Sequence, residues 1–83
     1  MAPTLAQLQA LAAVVDHRSF EAAARALHIS VGALSQRISA LERLQGHPVV
    51  TRGRPARVAA PAEPLLALAR QIDWLVAEHE KAT

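Results

Sequence analysis

The spacing of apolar residues in the first half of the chain predicts three short helices. Apolar residues recur at the i, i+3, i+4, i+7 spacing of an amphipathic helix at Leu8, Leu11, Ala12 and Val15. Similar patterns place helices over residues 5–16, 20–27 and 31–45. In the third helix, the side expected to face the core carries Leu34, Ile38, Leu41 and Leu44. The first half therefore predicts a small helical core.

Residues that begin and end helices lie at the boundaries of these segments. Thr4 followed by Gln7 is a capping-box pattern at the start of the first helix. Ser19 and Ser30 are N-cap candidates for the second and third helices. Gly46 suits the end of the third helix, because glycine adopts the left-handed conformation that closes a helix without a steric penalty.

The second half of the chain predicts a short hairpin followed by a longer helix. Two β-prone pieces, residues 49–52 and 56–59, flank a Gly53-Arg54-Pro55 turn, which is typical of a small hairpin. Beginning somewhere in residues 61–64, the helical period returns as a heptad-like seam. That seam contains Leu65, Leu68, Ile72, Leu75 and His79, and it is widened by Ala69 and Val76.

The order of these elements predicts the fold class. Three helices followed by a hairpin, with a short second helix and an N-capped third helix, are the organisation of a winged helix-turn-helix. We therefore expect a mainly α fold, with a three-helix core and a small β-hairpin wing over residues 1–60. Residues 61–83 are expected to form a long linker and dimerisation helix.

Charge is distributed unevenly along the 83 residues. Residues 17–58 contain seven arginines and two glutamates, a balance of +5, whereas the remainder has a balance of −3. A basic middle segment beside an acidic remainder suggests a polyanion partner for the middle segment only.

The sequence offers little chemistry for catalysis or for cofactor binding. It contains no cysteine, and its four histidines are scattered without metal-ligand spacing. There is no nucleophile motif and no glycine-rich phosphate loop. We therefore expect no enzyme activity, no metal and no cofactor. Nothing resembles a signal peptide or approaches the roughly 20 apolar residues that cross a bilayer, so we expect a cytoplasmic protein without a membrane partner.

The stretch from Phe20 to Pro55 carries a distinctive set of residues. They are Ala23-Ala24, Leu27, Ile29-Ser30, Ala33-Leu34-Ser35, Ile38, Leu41-Glu42, Gly46, Pro48 and Arg52. This set resembles the N-terminal DNA-binding region of the LysR-type transcriptional regulators, a bacterial family of transcription factors. The segments "SQRI", "VVTR" and "PLLALARQ" are most similar to the ArgP/LysG subgroup, which responds to lysine and arginine.

The resemblance implies the partners of the protein. It implies binding to double-stranded DNA at an A/T-containing interrupted palindrome, as a homodimer formed by the last helix and as a tetramer in a full-length protein. Family members carry a C-terminal effector domain, and the chain stops after the linker helix. We therefore expect an isolated DNA-binding domain without a small-molecule effector site.

One face of the third helix is composed of small and polar residues, as a helix entering the major groove requires. Gln36 can pair bidentately with adenine, Ser35 can bond a base or a phosphate, and Ser30 favours a nearby phosphate. Val31 and Gly32 occupy helix-tip positions where the family usually has glutamine, serine or proline. The predicted DNA-binding residues of this helix are Ser30, Val31, Gly32, Ser35, Gln36, Arg37 and Ser39.

Two alternatives remain open for this helix. The polar stripe is also compatible with the solvated side of an ordinary helix. Arg37, which lies beside the stripe, either reaches a phosphate or pairs with Glu42.

The predicted wing contains the densest basic cluster, Arg52, Arg54 and Arg57. Gly53 and Pro55 shape a turn that would hold Arg54 at a tip able to enter a minor groove, with Arg52 and Arg57 directed toward phosphates. The alternative is an exposed loop that only improves solubility.

The last helix carries too much apolar surface to leave in water. Its predicted dimerisation residues are Leu65, Leu68, Ile72, Leu75 and Val76. The alternative is that this helix folds back on its own core, with Trp74 among the packed residues. The rival function is a helical protein-interaction module without sequence-specific DNA binding, but such a module does not need a basic segment with a three-arginine turn.

Overall fold

Four α-helices and one small hairpin make up the computed structural model, which describes residues 1–82. In chain order the elements are α1 (Leu5–His17), α2 (Phe20–Leu27), α3 (Val31–Gln45), β1 (Val50–Thr51), β2 (Arg57–Val58), a 3-10 turn (Ala60–Ala62) and α4 (Glu63–Ala82). The predicted mainly α fold with a winged helix-turn-helix organisation is confirmed, and α4 begins within the range expected from the sequence.

Side-chain caps begin the first three helices at the predicted residues. At α1, Gln7 N–H donates to Thr4 Oγ1 over 3.1 Å, and Thr4 N–H donates to Gln7 Oε1 over 3.0 Å. Ser19 Oγ accepts the Ala22 N–H over 2.9 Å, and Ser30 Oγ accepts the Ala33 N–H over 3.0 Å. Each cap satisfies a backbone donor that has no partner within its helix, which fixes where the helix starts.

The core lies where α1, α2 and α3 meet beneath the hairpin. Its largest fully buried side chains are Leu11, Leu34, Ile38, Leu41, Val14 and Val49. The buried residues of α2 are Ala23 and Ala24, whose small side chains allow that helix to approach its neighbours closely. Burying one leucine or isoleucine fully contributes about 1.5–3 kcal/mol, so the inner stripe of α3 alone fixes the orientation of that helix.

The hairpin is shorter than the two four-residue pieces that the sequence suggested. Its strands are antiparallel and two residues long, with Val50 opposite Val58 and Thr51 opposite Arg57. Beyond the strands, the Ala56 N–H donates to the Arg18 carbonyl over 3.0 Å, which attaches the wing to the end of α1. The wing is therefore held by contacts with the helical core as much as by its own strand pairing.

The first turns of α4 pack against α1. Leu65, Leu66 and Ala69 join a cluster with the buried Leu8 and Ala12. Farther along the same side, Arg70 donates to the Asp16 carboxylate over 2.8 Å. That hydrogen bond raises the pKa of the Arg70 guanidinium. Within residues 1–82, the helices are too short or too polar to cross a membrane.

Candidate functional site

The outward side of α3 presents residues that were predicted from the sequence to bind DNA. Ser30, Val31, Gly32 and Gln36 are exposed. Ser35, Arg37 and Ser39 are half-buried. The inner leucine and isoleucine stripe turns this side away from the core, so Gly32, Ser35, Gln36 and Ser39 share the outward face, with Val31 and Arg37 at its edges.

Val31 and Gly32 form the tip of α3 directly after the cap at Ser30. Val31 is 41% exposed. A Cβ added at Gly32 would meet only Ser30 Oγ, at 3.9 Å. Packing within the chain therefore does not require glycine at this position, and the tip leaves room for something outside the chain.

Farther along α3, a shallow depression lies on the same outward side. It is lined by Ser35, Gln36, Ser39, Ala40 and Arg43. Arg43 was not among the predicted binding residues, although its positions four after Ser39 and seven after Gln36 place it on the same helix face. The depression therefore combines hydroxyl and amide groups with one cation, a set that hydrogen-bonds to polar anionic surfaces.

Arg52, at the end of β1, reaches from the wing to α3 and α2. Its Nη1 donates to Ser35 Oγ over 3.3 Å, and its Nη2 donates to Glu42 Oε1 over 3.4 Å. Its guanidinium carbon also lies 4.9 Å from the centre of the Phe20 ring. The Glu42 carboxylate, which the sequence analysis considered as a partner for Arg37, is thus paired with Arg52.

The other two predicted wing arginines, Arg54 and Arg57, are exposed. Arg54 lines a cleft between the wing and the start of α2, together with Arg52 and with Arg18, which the sequence interpretation missed. Arg18 is the C-cap of α1, with φ at 59°, and its carbonyl accepts the Ala56 N–H. Its place in the sequence, immediately before the cap residue Ser19, could have indicated that Arg18 lies beside the start of α2.

The predicted dimerisation residues of α4 fall into two groups. Leu65 and Ile72 are half-buried against α1, whereas Leu68, Leu75 and Val76 are 42%, 59% and 37% exposed. Trp74, which the sequence alternative placed on the core, is 63% exposed. Along much of its length, α4 therefore presents apolar side chains that this chain does not cover.

The arrangement as a whole is suited to binding an extended anionic surface. A polar helix face, a three-arginine wing and the basic cleft beside α2 adjoin one another through the Arg52 contacts. Within residues 1–82, no group of three or more His, Cys, Asp or Glu side chains is placed to hold a metal ion.

Comparison with protein families identifies similarity over most of the chain. A family model described as bacterial regulatory helix-turn-helix protein, lysR family, matches residues 5–63. The transcriptional regulator LysG of Mycobacterium bovis is 49% identical over 72 residues, which are 87% of this chain and 24% of that protein. The transcriptional regulator ArgP of an Enterobacter species is 45% identical over 76 residues, 92% of this chain and 26% of that protein. The chain thus spans about a quarter of the length of these curated relatives.

Two solved structures show the same fold. Full-length LysG from Corynebacterium glutamicum superimposes with a TM-score of 0.90 at 38% identity, over 98% of this chain and 28% of that one. The CbnR DNA-binding domain in a complex with DNA superimposes with a TM-score of 0.81 at 28% identity, over 95% of this chain and 92% of that one.

Proposed function

Because the chain belongs to the LysR family of bacterial regulatory helix-turn-helix proteins, and within it to the ArgP/LysG subgroup, we propose that it binds double-stranded DNA sequence-specifically. In this proposal it serves as the DNA-binding domain of a cytoplasmic transcriptional regulator. As expected from the sequence, residues 1–60 would form the DNA-binding part in this proposal, and residues 61–83 would provide the linker and dimerisation helix.

The observation that carries the proposal is the likeness to the CbnR DNA-binding domain in its complex with DNA, which extends over nearly the whole of both chains. The exposed face of α3 adds an independent physical argument. A major groove about 8.5 Å deep admits a helix whose leading side chains are short and polar, and α3 presents such a face.

We assign α3 to the major groove and the wing to the minor groove. Gln36 is exposed, and its amide can pair bidentately with the edge of an adenine. Ser30 and the first amides of α3 suit a phosphate at the helix start. Exposed Arg54 suits the minor groove, whose negative potential is greatest in A/T-rich DNA, and Arg57 suits a flanking phosphate.

The exposed apolar residues of α4 support dimerisation in this proposal. A dimer related by a two-fold axis places two recognition helices on two half-sites, which is why the expected operator is an interrupted palindrome. Leu68, Leu75 and Val76 are the residues available for that contact. A tetramer would form in a longer protein through segments outside this chain.

Titration of labelled duplexes tests the proposal. Preferred DNA is first selected from a random pool with this domain, and its affinity is then compared with that of a shuffled duplex of equal composition. We expect tighter binding to the selected site by about 10³-fold or more, with log K falling linearly as log salt rises. Equal affinity for the selected and shuffled duplexes contradicts sequence-specific binding, and no binding to either contradicts DNA binding altogether.

A further inference from the structure

Arg52 occupies a different environment from the other wing arginines. Its guanidinium is shared by three groups from two helices: the Ser35 hydroxyl, the Glu42 carboxylate and the Phe20 ring. No ion pair or hydrogen bond ties Arg54 or Arg57 by its side chain to another residue in the described part of the chain. The positive charge of Arg52 is therefore already paired within the protein in the absence of DNA.

Glu42 holds Arg52 from a fixed position. Its Oε2 accepts the Val49 N–H over 2.9 Å, and its Oε1 accepts from Arg52 over 3.4 Å. A carboxylate bonded to the backbone of the segment that enters β1 cannot follow a moving arginine freely. The pair thus connects the last turn of α3 to both ends of the short segment from Val49 to Arg52.

The contact with Ser35 has a consequence for the direction of its hydroxyl. A serine hydroxyl has one donor hydrogen and two acceptor lone pairs. An arginine can only donate, so its N–H occupies a lone pair of Ser35 Oγ, and the hydroxyl hydrogen is left to point at another acceptor. On a major-groove edge the acceptors are purine N7, guanine O6 and thymine O4.

We propose that Arg52 is a positioning residue for DNA recognition, which holds the wing against α3 and sets Ser35 as a hydrogen-bond donor toward a base acceptor. This inference rests on the proposed DNA-binding function and gives Arg52 a role other than the phosphate contact expected from its sequence position. Under it, Arg52 determines sequence preference at the base pair facing Ser35 and contributes little to the salt dependence of binding.

Arg52→Lys and Arg52→Gln separate positioning from phosphate contact. Lysine keeps the charge but lacks the planar fork that reaches Ser35 and Glu42 together. Positioning predicts that Arg52→Lys loses about two- to tenfold of the preference at one base pair per half-site, the size of one hydrogen bond. It also predicts that Arg52→Gln leaves the slope of log K against log salt close to that of the unsubstituted protein.

A phosphate contact predicts the reverse for both variants. Arg52→Lys would then keep its sequence preference, and Arg52→Gln would flatten the salt slope by about 0.9 per bound chain. The matched control is Arg54→Gln, which removes a wing arginine without these internal contacts and should flatten the slope. Either reversed result overturns the positioning role while leaving DNA binding intact.

Two further variants, Ser35→Ala and Glu42→Gln, test whether the loss of sequence preference arises from the contacts that Arg52 makes with these two residues. Glutamine keeps an acceptor for the Val49 N–H but loses the charge that holds Arg52, and thermal unfolding checks that each variant is folded. We expect both variants to lose preference at the same base pair as Arg52→Lys, and the Ser35→Ala/Arg52→Lys double variant to lose no more than either alone. Additive losses, or losses at different base pairs, overturn the inference. If the unsubstituted chain shows no preference between selected and shuffled DNA, the proposed function itself fails, and this inference fails with it.

Discussion

At the scale of single residues, Gly32 is the position whose identity the fold explains least. It is exposed in the first turn of α3, and an added Cβ would meet nothing closer than Ser30 Oγ at 3.9 Å. Glycine in a helix costs up to about 1 kcal/mol relative to alanine, because it orders a more flexible backbone. A residue that lowers stability without any packing need points to a requirement outside the chain.

Gly32→Ala should therefore change stability and DNA binding in opposite directions. We expect the free energy of unfolding to rise by about 0.4–1 kcal/mol, because the alanine fits the helical backbone and restricts the unfolded chain. We expect binding to the selected duplex to weaken by about 1–3 kcal/mol, because a methyl group enters a close contact with the groove. Thermal unfolding and anisotropy titration measure the two effects. Unchanged affinity in a stabilised variant means that the tip of α3 does not approach DNA closely.

At the scale of elements, we expect α3 to determine which DNA sequence is preferred and the wing to contribute affinity for any DNA sequence. Gln36→Ala should flatten the preference between selected and single-base-substituted duplexes by about 1–3 kcal/mol at one position, because a bidentate amide–adenine pair is lost. Arg54→Ala should lower affinity for selected and shuffled duplexes alike and flatten the salt slope, because a cation near the backbone is lost. Both follow from anisotropy titrations at several salt concentrations. The exchanged pattern would mean that Gln36 is the anchor and Arg54 the reader.

The sequence predicted the first three helices well because each starts at a residue whose side chain caps it. Thr4, Ser19 and Ser30 bond backbone amides three residues ahead, so the information lies within one helical turn. Gly46 ends α3 with φ at 78°, a conformation that glycine adopts without strain. Local spacing also defined the inner and outer sides of α3, and hence the candidate binding face.

The contacts that organise the site depend on tertiary structure, which the sequence pattern did not reveal. Arg52 lies 17 residues from Ser35 and 10 from Glu42, in a different element of the fold, so no spacing within one helix or strand indicates these contacts. The pairing of Arg52 with Glu42 follows from where the hairpin docks, and the hairpin is fixed partly by a bond from Ala56 to Arg18. The sequence could therefore name the arginines of the wing, but it could not show that the Arg52 side chain is bonded to other side chains whereas, within residues 1–82, those of Arg54 and Arg57 are not.

At the scale of the whole molecule, α4 has two different environments. Its first turns complete the core through Leu65, Leu66 and Ala69. Its later turns leave Leu75 59% exposed and Trp74 63% exposed. The seam read from the sequence therefore divides between the chain's own core and surface that is open to a partner. In a two-fold symmetric dimer, the same surface of each chain covers that of the other, which is the arrangement that we propose for these residues.

Leu75→Ser tests that assignment without disturbing the core. Because the residue is 59% exposed in the single chain, we expect little change in monomer stability, but a loss of dimer stability of about 1–2 kcal/mol for each of the two chains. The control is Ala77→Ser, an exposed position that lies two residues on and therefore faces nearly the opposite side of the helix. Sedimentation equilibrium should show a dimer for the unsubstituted chain and for Ala77→Ser, and a shift toward monomer for Leu75→Ser. The same shift should weaken binding to a palindrome more than binding to an isolated half-site, because only the palindrome uses both chains. A Leu75→Ser chain that remains dimeric, or an unsubstituted chain that is monomeric at every concentration, would show that this surface of α4 is not the dimer contact.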